Sequence, residues 1–263
     1  MNTSSPEILK RKLRLIKKSF QHEGFMVTVG RLYTVFVDYL FDIVYGLDTC
    51  TKVELSELEI VGSNREKGFG YEPTRLVPLR KLFKEIKPMI PTETVLVDFG
   101  CGKGRVLLGT LTMGFHEVRG IEFAGELCKI ARKNYVKYSS RKKNSTGYKI
   151  IESDVTDYHI QTDENIFFIN NPFDEDIFGK VLHNIEGSLQ RKHRDVLIIY
   201  HNHWTGYPQV LEQRSDFSRI KEISIYGYKF IIYSNLYQQD TLHTPERYIY
   251  RNVHSRVSQN SKK

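Results

Sequence analysis

The chain has 263 residues, about twice the usual single-domain length, so one large α/β domain with an appendage or two small domains is expected. Hydrophobic residues make up 40% and charged residues 27%, which excludes collagen-like, low-complexity and wholly disordered chains, and no run of about 18 uncharged apolar residues offers a spanning helix. The net charge is +8, and three cysteines (Cys50, Cys101, Cys128) without a secretory pattern ahead of them make no disulfide framework, so a cytoplasmic protein is expected.

Residues 6–22 read as a basic helix, with Lys10, Arg11, Lys12, Arg14, Lys17 and Lys18 against Glu7. Residues 25–45 read as a second, far more apolar helix. Arg31, Asp38 and Asp42 recur there at i, i+7 and i+11 and share one narrow stripe, while the rest of the circumference is Val, Leu, Phe, Tyr and Ile. A helix apolar over most of its surface wants burial, a partner chain or a membrane interface. Burial against the domain is favoured; a homodimer and peripheral membrane contact through residues 6–45 stay open. Gly46 is placed to cap the helix.

Residues 47–70 are polar and turn-rich, a linker or flap. A helix over 75–87 is stopped by Pro88 and Pro91. Strands and helices then alternate: a β-branched strand at 94–99, a glycine-rich turn and helix to about 113, a strand at 117–122 and a helix at 126–138. Strands at 149–152 and 165–170, a helix at 176–189 and a strand at 195–201 follow. Residues 217–226 and 228–234 read as a hairpin about Gly227, which puts an antiparallel strand at the end of the sheet. The basic residues Arg132, Lys133, Lys137, Arg141, Lys142 and Lys143, and the tail's Arg251, Arg256, Lys262 and Lys263, meet no acid in their runs. Such runs suit phosphates on nucleic acid or an anionic membrane, though a solvated face is the preferred reading.

The pattern predicts an α/β fold: a doubly wound, mostly parallel seven-stranded sheet with an antiparallel terminal strand and an N-terminal helical extension. The expected divisions are 1–70 (extension and linker), 71–238 (domain) and 239–263 (basic tail). A ligand is expected beyond the carboxyl ends of the strands, beside the first one.

There the chain runs Asp98-Phe99-Gly100-Cys101-Gly102-Lys103-Gly104-Arg105. Glycines at this spacing permit a sharp turn and bring backbone N–H groups close to a ligand, and the helix that follows presents its positive end. Glu122 ends the second strand, where a carboxylate can accept both hydroxyls of a ribose. A nicotinamide fingerprint needs glycine or alanine where Arg105 stands, which counts against a dehydrogenase.

These residues resemble the class I S-adenosylmethionine-dependent methyltransferases. The run from Val95 to Arg105 is similar to that family's first motif, and Gly120-Ile121-Glu122-Phe123 to its second-strand acidic motif. Glu152-Ser153-Asp154-Val155 resembles the loop that meets the adenine, and Phe168-Ile169-Asn170-Asn171-Pro172-Phe173 the fourth-strand motif of amine methyltransferases. The resemblance covers residues 71 to about 234. It is nearest to uncharacterised bacterial members with Tyr-x-Pro-Thr (here Tyr71 to Thr74) before the first motif and Asn-Pro-Phe-Asp after the fourth strand; Tyr45-Gly46-Leu47-Asp48-Thr49 resembles their leader.

The resemblance implies a Rossmann-like methyltransferase with S-adenosyl-L-methionine as cofactor. Asp98 would orient the turn and the ligand's amino group, and Gly100, Gly102 and Gly104 would bring backbone against it. Cys101 would fill the turn. Glu122, with Phe123 beside it, would hold the ribose. Asp154 and Val155 would meet the adenine, and Tyr71 and Thr74 would close over the methionine end. Asn170, Asn171, Pro172 and Phe173 would face the transferred methyl group. Amide and backbone oxygens there can bind the N–H groups of a neutral amine, and Phe173 can stack on the acceptor.

The nucleic-acid adenine enzymes carry Asn/Asp-Pro-Pro-Tyr/Phe, from which one proline is missing here. The expected function is N-methylation of a protein lysine or small amine. RNA or DNA methylation, suggested by the basic runs, and a non-catalytic cofactor-binding interaction protein working through residues 25–45 are the alternatives. No metal site is expected, because His201 and His203 have no third ligand at a zinc-like spacing.

Overall fold

The computed structural model describes residues 10, 14, 17–54, 56, 58, 70–91, 93–201, 207–213 and 216–236. Most of the 6–22 helix, the tail at 239–263 and His203 lie outside the described residues.

Seven strands form one sheet: β1 (Val95–Phe99), β2 (Glu117–Glu122), β3 (Gly147–Glu152), β4 (Glu164–Ile169), β5 (Leu197–His201), β6 (Ser218–Ile225) and β7 (Tyr228–Ser234). Their order is β3-β2-β1-β4-β5-β7-β6. The first five run parallel, and β7 is antiparallel to both β5 and β6. The doubly wound, mostly parallel sheet is therefore as expected. The hairpin sets its second strand inward: β7 is buried over Phe230 to Ser234, whereas β6 is mostly part-exposed and forms the edge. Strand β3 starts at Gly147, earlier than expected, because Gly147 pairs with Glu117.

Alternate side chains of the central strands feed two cores. Leu96, Phe168, Ile199 and Phe230 join one with the residues of α2 (Leu76–Ile86) and α3 (Arg105–Thr110). Val97, Phe167, Ile169 and Ile198 join the other with α5 (Glu175–Arg191) and α6 (Tyr207–Glu212). Helix α4 (Gly125–Arg141) connects β2 to β3. The short α6 has no counterpart in the sequence reading.

Helix α1 (Phe25–Tyr45) forms where expected, and Gly46 ends it in the left-handed conformation at φ 67°. Its orientation is the reverse of the expected burial. The residues it buries are Thr28, Gly30, Thr34, Asp38, Phe41 and Asp42. Phe25, Met26, Leu32, Tyr33, Phe36, Tyr39, Ile43 and Val44 are exposed.

Paired charges explain this arrangement. Asp38 accepts hydrogen bonds from the Leu76 N–H and from Arg75 Nη1, each at 3.0 Å, so it sits as an anion at the start of α2. Asp42 accepts from the N–H groups of Thr49 (2.7 Å) and Cys50 (2.8 Å), which folds the 46–50 leader back onto α1. A Cβ on Gly30 would stand 2.1 Å from the Tyr226 ring, so glycine is what lets the β6–β7 turn approach, and Arg31 Nε donates to the Tyr226 carbonyl at 3.2 Å. Lys137 and Arg141 of α4 donate to the carbonyls of Gly46 and Val44, placing cations at the negative end of α1. Among the described residues no helix is long and apolar enough to cross a membrane.

Candidate functional site

Beyond β1 the chain bends through Gly100 (φ 71°) and Gly102 (φ 53°), a backbone region that side chains disfavour. The N–H groups of Gly100 and Cys101 both donate to the Ile121 carbonyl, at 2.9 and 3.1 Å, which ties the bend to β2. Glu122 completes the tie: its Oε2 accepts from the Gly102 N–H at 2.9 Å and its Oε1 from the Ala124 N–H at 3.0 Å. The carboxylate therefore points into the bend. A Cβ on Gly100 would lie 2.2 Å from Pro172 Cβ, and one on Gly102 would lie 2.1 Å from the Tyr71 ring. Glycine at these positions brings Pro172 and Tyr71 down onto the turn.

A cavity of about 320 Å³ opens here, within the usual size of small-molecule sites. Tyr71, Thr74, Asp98, Gly100, Cys101, Gly102, Glu122, Phe123, Asn170, Asn171 and Pro172 line it. A second space of about 30 Å³ shares Gly100, Glu122, Phe123 and Pro172 and adds Asp154, Val155, Phe173 and Ile177. The residues singled out in the sequence thus converge on two adjoining spaces at the carboxyl ends of β1, β2 and β4, with one exception. Gly104 lines neither. A Cβ on it would meet Tyr148 Oη at 2.9 Å and Ala131 Cβ at 3.2 Å, so it is a packing glycine facing α4 and β3.

Phe173 also departs from expectation. It is buried in the smaller space with Asp154 and Val155, 6.0 Å from the Tyr207 ring, and its carbonyl accepts from the Tyr207 hydroxyl. The unforeseen helix α6 holds it there, so it does not line the larger cavity with Asn170 and Asn171. Asp154 accepts from the N–H (2.9 Å) and hydroxyl (2.8 Å) of Thr156, a local turn that aims the loop. His201 lines neither space; its Nδ1 is 2.8 Å from the Lys229 carbonyl and its ring stacks on Phe230. Among the described residues no three His, Cys, Asp or Glu gather as metal ligands would.

At the end of β4, Asn170 Nδ2 donates to Thr74 Oγ1 at 2.9 Å. Asn171 has a positive φ of 44°, and its Oδ1 accepts from the Tyr200 hydroxyl at 3.1 Å. The Tyr71 hydroxyl donates to the Thr49 carbonyl at 2.8 Å, holding its ring across the bend.

Burial, reinforced by the neighbouring Glu122 charge, pushes the Asp98 carboxyl well above the ordinary carboxylate range. Burial raises Glu122 as well, opposed by the N–H groups of Ala124, Gly102 and Phe123. Burial, followed by the charges of Glu122 and Asp98, raises the Cys101 thiol, which is thereby inert as a nucleophile. A cation bound beside Asp98 and Glu122 would favour their ionised forms, in a cavity that the buried Arg105 guanidinium also lines.

Arg105 was not among the candidates, yet it lines the larger cavity and is 1% exposed. Its Nη1 lies 2.9 Å from Asp38 Oδ1, an ion-pair contact whose angle falls short of a hydrogen bond. Its Nε donates to the Thr49 carbonyl at 3.2 Å, and its Nη2 to Cys50 Sγ at 2.7 Å. The signal for it was the acidic stripe of α1, which needed cations from elsewhere in the chain.

No protein-family model matches the chain, and no curated protein matches it. Among solved structures it is similar to an RNA methyltransferase from Salinibacter ruber in complex with S-adenosyl-L-homocysteine: 15% identity, 65% of this chain and 97% of that one, TM-score 0.47. It is also similar to a ribosomal protein L11 methylase from Lactobacillus delbrueckii subsp. bulgaricus: 12% identity, 67% and 82% of the chains, TM-score 0.45. A third is the glycopeptide N-methyltransferase MtfA complexed with S-adenosyl-L-methionine: 12% identity, 60% and 92% of the chains, TM-score 0.47. At these identities the likeness concerns the path of the chain.

Proposed function

We propose that the protein is an S-adenosylmethionine-dependent methyltransferase acting on the nitrogen of a small amine or a protein lysine. The observation that supports this best is Glu122 grasping the Gly102 N–H. The acid that would hold the ribose and the glycine bend become one wall of the cavity that Asn170 and Asn171 also line.

The residues fit the cofactor. Its ammonium and sulfonium charges suit a cavity in which Asp98 and Glu122 are both raised. Asp98 would hold the ammonium and Glu122 the ribose hydroxyls, with Phe123, Val155 and Asp154 around the adenine. When bound, the cofactor supplies an electrophilic methyl group on a cationic sulfur.

The chain's part is alignment and exclusion of water. Thr74 fixes the Asn170 amide through its Nδ2, which leaves Oδ1 to accept an N–H of a neutral amine and aim the nitrogen lone pair. Tyr71 covers the bend. No side chain here is assigned as the base, and the proton shed by the methylated amine passes to solvent.

Calorimetry with S-adenosylmethionine tests the reading. Glu122→Ala weakens binding by about 1.5–3 kcal/mol, the scale of lost hydrogen bonds to a charged group. Asn170→Ala keeps cofactor affinity and lowers transfer of radiolabelled methyl into fractionated lysate. Equal binding by Glu122→Ala and wild type contradicts the assignment.

The pH dependence has a fixed sign. A cation beside Asp98 lowers its raised pKa, so binding expels a proton. Affinity therefore rises with pH between the bound and free values of Asp98, below the pH at which the ligand's own ammonium loses its proton and its charge.

A further inference from the structure

Phe25, Val29, Leu32, Phe36, Leu40 and Ile43 follow one another at spacings of three and four, so they form a single stripe along the outside of α1. Phe36 is 64% and Ile43 75% exposed. The helix is about 30 Å long at 1.5 Å per residue. Its three charged side chains, Arg31, Asp38 and Asp42, all bond on the inner side, so the outer face carries no charge.

Both ends of this strip are basic. Ahead of it, helical residues 17–23 expose Lys17 and Lys18, and Lys10 and Arg14 are exposed helical positions before them. Behind it, Lys137 and Arg141 touch the last turn of α1, and Lys133, Lys142 and Lys143 are exposed nearby on and just after α4. Glu23, at the N-terminal end, is paired with Arg31.

We propose that α1 docks on a bilayer surface rich in anionic lipid, lying in the interface plane with this stripe among the acyl-chain ends and the two basic clusters among the headgroups. Uncharged Phe, Leu and Ile on one face and Lys and Arg flanking it are the chemistry of an interfacial helix. A second copy fits less well. Whether two α1 helices pair parallel or antiparallel, a basic end meets a basic end, whereas an anionic surface neutralises both. The surface is separate from the cavity, so this proposal stands or falls apart from the methyltransferase reading.

Sedimentation of the full chain with vesicles tests it. The protein binds vesicles of equal parts phosphatidylglycerol and phosphatidylcholine, releases in high salt, and binds phosphatidylcholine alone far more weakly. Phe36→Asp and Ile43→Asp each lower partitioning by about tenfold without moving the unfolding midpoint, since both side chains are exposed. Failure to bind the mixed vesicles, equal binding to both vesicle types, or indifference to the two substitutions overturns the proposal. So does a dimer, seen by sedimentation equilibrium without lipid, that the same substitutions dissociate, because a second copy is then the occupant.

Discussion

Helices α1 and α5 have opposite senses. Helix α5 buries Ile177, Phe178, Val181, Leu182 and Ile185, starts with Asp174 accepting from the Ile177 N–H, and carries Glu175 and Asp176 in its first turn. Helix α1 buries two threonines, a glycine, two aspartates and, among its large apolar residues, Phe41, starts at Gly24 without a side-chain cap, and shows most of its other large apolar residues outward. The first is held by non-directional burial, which tolerates many arrangements. The second is held by named pairs, whose net gain is modest but whose separation is costly because each leaves a buried charge alone.

Asp38→Ala is the most direct blow to this contrast. It takes from Arg105 its nearer carboxylate, leaving Asp42 at 3.6 Å, and removes the acceptor shared by Arg75 and the Leu76 N–H, for a loss of about 3 kcal/mol in denaturant unfolding, the lower end for a broken buried pair. A loss under about 1 kcal/mol would mean that apolar contact holds α1 after all. One identical substitution on each helix sharpens the contrast. Phe178→Ala removes a wholly buried ring and costs about 4 kcal/mol. Phe36→Ala changes stability by no more than about 0.5 kcal/mol, as an exposed site should.

The parts of the molecule that were legible in its sequence are those governed by neighbours in the chain. The β-branched run at Val95 to Val97, the glycine bend and the acid closing β2 each carry their own local reason; the run forms the buried strand β1, and the bend and Glu122 meet at one cavity beyond it. Periodicity also isolated the Arg31, Asp38 and Asp42 stripe. It could not say which side of the helix faces inward, because Arg75 and Arg105 decide that from far along the chain. The setting of Phe173 was hidden for the same reason: Tyr207 of a six-residue helix, too short to show a period, bonds its carbonyl and packs near its ring in the smaller of the two spaces. Gly104 looked like its two companions in the motif, and only the approach of Tyr148 and Ala131 distinguishes it.

The pairing of Arg105 with Asp38 ties α1 to the first residue of α3. A protein beginning at Gly46 would keep every strand, yet it would enclose one guanidinium completely and another in part with their carboxylates gone. A relative or a redesign that sheds the outer helix therefore has to surrender both arginines in the same step.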